Sequence, residues 1–69
     1  MKCEILITSP YGDEDFFTFC SESFNEIEAY TSGRLNELAE EWYSNLRTIN
    51  EITFEDFLAN CEIQIKETK

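Results

Sequence analysis

The sequence predicts an α+β fold, a three-stranded and mainly antiparallel sheet with two helices and one short helical turn packed on one face. Three observations predict it. Both ends of the chain, "KCEILIT" (Lys2–Thr8) and "EIQIKET" (Glu62–Thr68), alternate apolar and polar residues, the period of a half-buried strand. A middle segment repeats its apolar residues at helical spacing. No internal repeat, low-complexity stretch or linker interrupts the 69 residues, so residues 1–69 are expected to form a single domain.

In the first strand Cys3, Ile5 and Ile7 share one face, with Glu4, Leu6 and Thr8 on the other. "SPYGDED" (Ser9–Asp15) carries Pro10, Gly12 and three acids, which is turn chemistry. "FFTFC" (Phe16–Cys20) is aromatic and contains Thr18, which favours a second strand. These two strands are expected to form a hairpin around a loop of about six or seven residues. Phe17 and Phe19 then face inward, and Leu6 and Phe16 turn outward. A pair of large apolar side chains on the outer face is a candidate self-association surface, unless Tyr11 or the Ser21–Tyr30 segment folds over it.

"SESFNEIEAY" (Ser21–Tyr30) is read as a turn of helix, with Phe24 and Ile27 inward, because Ser23 and Glu26 match a capping box. Ile27 and Ala29 also suit a short strand. The main helix is expected after a cap at Thr31 or Ser32. Leu35, Leu38, Ala39, Trp42, Tyr43 and Leu46 make its apolar stripe, Glu37, Glu40, Glu41 and Ser44 lie opposite, and Arg47 suits the last turn. "TFEDFLANC" (Thr53–Cys61) reads as a shorter helix. Thr53 caps it, Glu55 and Asp56 favour its first turn, and Phe54, Phe57, Leu58 and Cys61 face inward. The final strand turns Ile63 and Ile65 inward. The long helical connection lets it pair beside the first strand, which places residues 2–8 in the middle.

The chemistry of catalysis is missing from this inventory. With no histidine, the commonest general base is absent. No serine or cysteine stands beside an evident base, and two glycines cannot make a phosphate-cradling loop. "GDED" (Gly12–Asp15) lacks the ligand alternation of an EF-hand. An acidic carrier protein would be all-helical, against the strand patterns. The expectation is a non-enzymatic protein without metal or cofactor. Cys3, Cys20 and Cys61 are odd in number and widely spaced, which fits three reduced thiols used as small core residues in a cytoplasmic setting. Residues 1–12 lack the apolar run of a signal peptide, and no segment approaches the ~20 apolar residues of a membrane span.

Charge is the dominant property. Fifteen acids face five bases, for a formal net charge of −10. No basic residue occurs from Cys3 to Gly33, while Glu4, Asp13, Glu14, Asp15, Glu22, Glu26 and Glu28 accumulate there. On the main helix Glu37 has like-charged neighbours at i+3 and i+4, Glu40 and Glu41. Each such pair costs a few tenths of a kcal/mol, and a lysine at 41 would reverse the sign. Bare nucleic acid and anionic membrane surfaces are therefore poor partners, neither is expected to be bound, and a basic protein is favoured. The candidate contact residues are Glu37, Glu40, Glu41, Asp13, Glu14, Asp15, Glu22, Glu26 and Glu28.

"EAYTSGRLNELAEEW" (Glu28–Trp42) resembles a segment of ArdA-type antirestriction proteins, in which a tyrosine and a small polar turn lead into a helix of the L-N-E-L-A kind. In size, charge and α+β character the chain is also similar to small acidic phage anti-CRISPR proteins. The resemblance implies an acidic nucleic-acid mimic from a phage or mobile element. Such a mimic occupies the DNA- or RNA-binding groove of a basic host protein, a defence nuclease or its DNA-recognition complex, in the bacterial cytosol, and is a monomer or homodimer. The alternative is a small acidic interaction module, adaptor-like or antitoxin-like, whose contact surface is hydrophobic.

Overall fold

A computed structural model describes residues 1–46 and 51–68. Its elements run β1 (Lys2–Thr8), β2 (Glu14–Cys20), α1 (Phe24–Ser44), α2 (Phe54–Ala59) and β3 (Glu62–Thr68). The three strands form one antiparallel sheet in the order β2-β1-β3. The first strand is thus the middle one, as the helical connection predicts. Residues 9–13 make the β1–β2 turn, shorter than expected, because pairing extends to Thr8 opposite Glu14 and Ile7 opposite Asp15. The Ser9 hydroxyl organises this turn. It accepts from the Tyr11 and Asp13 amides at 3.2 and 3.0 Å and donates to the Asp13 carboxylate at 2.7 Å. Gly12 closes it at φ +94°, a conformation that L side chains rarely adopt.

The main correction concerns α1. No separate turn or strand occupies residues 21–30, and no cap stands at Thr31 or Ser32. One helix of 21 residues begins at Phe24 with Ser23 in the N-cap position. The Ser23 side chain makes no capping bond. Glu26, expected to complete the capping box, instead accepts from the Ser21 hydroxyl at 2.6 Å. The triplet Thr31-Ser32-Gly33 looks like a break but is tolerated for local reasons. Ile27, Thr31 and Leu35 continue one inward stripe at i, i+4 and i+8. The buried Thr31 hydroxyl donates to the Ile27 carbonyl at 2.7 Å, so its polar group is satisfied. Gly33 faces open space. The helix stops at Ser44, so Leu46 lies beyond it. Arg47 lies outside the described residues.

The core forms where α1 covers β1. Cys3, Ile5, Ile7 and Ile27 are fully buried, with Phe17, Phe19, Leu35, Leu38, Trp42 and Ile65 packed around them. The short α2 adds Phe57, also fully buried. Its ring stacks on Tyr11 at 6.0 Å and meets Tyr43 at 5.6 Å. Thr53 caps α2 as expected, accepting from the Asp56 amide at 3.1 Å. The Tyr43 hydroxyl donates to the Ile52 carbonyl at 2.7 Å, which ties α1 to the approach of α2.

Three expected core side chains are not enclosed. Phe24 is 45% exposed, because it starts the helix beyond the end of the sheet stripe. Ile63 shares the inner face with Ile7 but sits on an edge strand and stays 37% exposed. Cys20 ends an edge strand on the outer face and is exposed, against the reading of all three cysteines as core residues. Among the described residues, no helix is long and apolar enough to cross a membrane.

Candidate functional site

The acidic candidates divide by what they touch. Glu37, Glu40 and Glu41 are exposed on α1, and so are Glu26 and Glu28. At about 100° per residue, Glu26, Glu37 and Glu40 project along the side of α1 opposite its buried stripe, with Glu41 on one flank, whereas Glu28 falls at the angle of Leu35 and Ala39, on the side of the stripe itself. Glu22 is exposed just before the helix, and Glu14 is exposed at the start of β2. None of these seven is in an ion pair among the described residues; the pair found there joins Arg34 to Asp15.

Asp13 and Asp15 are half-buried and make bonds within the fold. Asp13 is held by Ser9 within the turn. Asp15 is paired opposite Ile7 and so falls on the inner face of the sheet. There it accepts from Arg34 Nε at 2.9 Å, with both side chains partly exposed. The Asp15 carboxylate holds the Arg34 guanidinium above its ordinary pKa. The same guanidinium lies 4.6 Å from the centre of the Phe17 ring, a cation–π contact. Tyr30 completes this corner, stacked on Phe19 at 4.3 Å and edge-on to Phe17 at 5.6 Å. Sequence reasoning missed this cluster. The signal available was that Arg34 is the first base after Lys2 and opens a helix otherwise charged by glutamates up to Arg47.

The effect is to neutralise the one cation on α1 and leave its outward side negative. Above Gly33 the missing side chain leaves a shallow hollow of about 200 Å³ lined by Ala29, Tyr30, Gly33, Arg34 and Glu37. Gly33 is unusual in the middle of an exposed helix, where glycine costs roughly 1 kcal/mol relative to alanine. Nothing lies within 4 Å of where its Cβ would stand.

The second candidate surface is the open face of the sheet. Both helices lie on the other side. Phe16 is paired directly opposite Leu6 and is 61% exposed. Neither expected cover reaches it, since Tyr11 stacks on Phe57 and residues 24–30 belong to α1. The three cysteines are free, and Cys20 is exposed. Cys3 is buried, and Cys61 is half-buried, with burial and then nearby Asp13 raising its thiol pKa. Among the described residues no group of three or more His, Cys, Asp or Glu side chains is arranged to hold a metal ion.

Compared with protein-family models, with curated proteins and with solved structures, the chain finds no match.

Proposed function

We propose that this protein is a non-enzymatic inhibitor that mimics nucleic acid and acts on a basic nucleic-acid-binding protein, of the antirestriction or anti-CRISPR type. The observation that supports the reading best is the outward side of α1. It is a continuous helix, backed by a sheet, with Glu26, Glu37, Glu40 and Glu41 exposed and outside any ion pair among the described residues. From Glu26 to Glu40 the rise is about 21 Å, close to six phosphate steps of a DNA strand at 3.4 Å each. Glu40 and Glu41 stand at i+3 and i+4 from Glu37, with Cβ atoms about 5–6 Å apart, and Glu26 lies about 16 Å further along the axis. A helix spends little backbone entropy in presenting these acids, because packing has already ordered its backbone. Counterions released from a basic groove then drive association, as they do for DNA.

The test is capture of a basic DNA- or RNA-binding protein from bacterial lysate on the immobilised chain. Under this reading the captured protein leaves between about 50 and 200 mM salt and is displaced by duplex DNA. Reversal of Glu37, Glu40 and Glu41 to lysine keeps the helix, since all three are exposed, and abolishes capture. The free protein gives no gel shift with DNA. A triple reversal that captures the same protein with unchanged affinity overturns the proposal. The second reading, a hydrophobic interaction module, is favoured by the uncovered Phe16 beside Leu6. It predicts a partner that stays bound at high salt and is lost on Phe16→Ser.

A further inference from the structure

The two edges of the sheet are chemically different. Among the described residues, β2 and β3 each pair with β1 on one side only, so each leaves a row of backbone donors and acceptors on the other. Charged side chains on an edge strand normally discourage a second chain from pairing there. On β3 they are arranged in a way that invites one particular chain. Its sequence Glu62-Ile63-Gln64-Ile65-Lys66 is a charge palindrome about Gln64.

We infer that β3 is a homodimerisation edge, which pairs antiparallel with β3 of a second copy across a two-fold axis at Gln64 and joins the two sheets into one of six strands. In this register Glu62 stands opposite the partner's Lys66, Ile63 opposite the partner's Ile65, and Gln64 opposite its counterpart. Each cross-strand pair between unlike positions occurs twice by symmetry. Directly opposed side chains lie about 4.5–5.5 Å apart on one face, so both ion pairs form on the outer face. Both Ile pairs form on the inner face, continuing the layer in which Ile7 and Ile5 already oppose Ile63 and Ile65. This gives Ile63, 37% exposed in the single chain, an apolar neighbour.

Other registers are worse. A slip of one residue turns the partner's isoleucines to the polar face. A slip of two in one direction sets Ile63 against the partner's Glu67. In the other direction it sets Glu62 against the partner's Gln64 and forfeits both ion pairs. The β2 edge has no such complementarity. Pairing it with itself about Phe17 sets Asp15 against Phe19 and Glu14 against Cys20, with no base opposite either acid. Charge also favours β3. For a chain at −10, two copies meet most readily where acids are balanced; Glu62 and Lys66 cancel, Glu67 alone is left without a base, opposite the partner's Cys61, and Lys66 is one of three basic side chains among the described residues. The two-fold axis is perpendicular to the sheet, so α1 of both copies lies on the same side. The inference stands independently of the proposed mimicry.

Sedimentation velocity of the full chain at about 150 mM salt, where the Debye length is about 8 Å, tests it over a hundredfold range of concentration. The expected result is a monomer–dimer equilibrium. Glu62→Lys sets two like charges face to face, the new ammonium against the partner's Lys66, and should weaken the dimer at least tenfold. Position 62 faces only Thr8 within its own sheet, so the substitution does not threaten the fold. Adding Lys66→Glu restores the opposite-charge pairs in reverse, and Glu4→Lys keeps the opposite-charge pair that position 66 makes within its own sheet; the combined variant should restore the dimer, whereas Phe16→Ser leaves it unchanged. A wild-type chain that stays monomeric at the highest concentration overturns the inference. So does a dimer insensitive to Glu62→Lys, or one lost on Phe16→Ser.

Discussion

The two outer surfaces of the molecule are made from the same kinds of residue and end up chemically opposite. The outward side of α1 belongs to a helix with five glutamates against one arginine, and Asp15 occupies that arginine. The outer face of the sheet carries Glu4, Glu14 and Glu62 against Lys2 and Lys66, with Phe16 and Leu6 between them. Glu4 even has Lys66 as its cross-strand neighbour. One surface concentrates negative field, and the other nearly balances it around an apolar pair. Segregation of this kind teaches that the net charge is not a uniform solubilising coat. Five of the fifteen acids lie on one helix, and the sheet remains able to meet a second apolar or mixed-charge surface.

Both surfaces depend on the layer between them, and its loss should have the largest effect. Phe57 is fully buried and touches Tyr11 and Tyr43. Phe57→Ala should cost about 3–5 kcal/mol, comparable to the whole stability of so small a domain. Urea titration followed by far-ultraviolet circular dichroism should find the variant largely unfolded. A loss below about 1 kcal/mol would mean that α2 contributes little and that α1 alone holds the sheet.

Gly33→Ala acts on the helix surface with the opposite sign. A Cβ there meets nothing within 4 Å, and alanine recovers roughly 1 kcal/mol of helix propensity. The melting temperature should rise by about 4–8 °C. If the hollow above Gly33 receives a partner side chain, the same variant binds less well while being more stable, which separates the working surface from the scaffold.

The smallest effect is expected on the sheet face. Phe16→Ser removes a side chain that is mostly in solvent, and should change stability by less than about 0.5 kcal/mol. A loss of about 2 kcal/mol or more by the same urea titration, the size of a buried side chain's contribution, would show that the face is covered in solution.

The strands were legible because each is bounded by clear signals and repeats with period two. Alternation put Cys3, Ile5 and Ile7 inside and Leu6 and Phe16 outside, and the register bears this out. The acids on α1 were equally legible, since the spacing of Glu37, Glu40 and Glu41 from the apolar stripe is a local property. The start of α1 was not. Thr31, Ser32 and Gly33 are poor helix formers, so local preference reads them as a boundary. What carries the helix through is burial of Ile27 and Thr31 against the sheet, which offsets a weak local preference.

By itself, then, the sequence determined the strand alternation, the cap of the short helix and the excess of acids, because each follows from neighbours a few residues apart. Tertiary structure alone decided the length of α1, the pairing of Asp15 with Arg34 across 19 positions, and the exposure of Phe24, Cys20 and Ile63. These depend on where sheet edges and helix ends fall in space. A side chain's partner there is set by packing between distant segments, which no periodicity within one segment encodes.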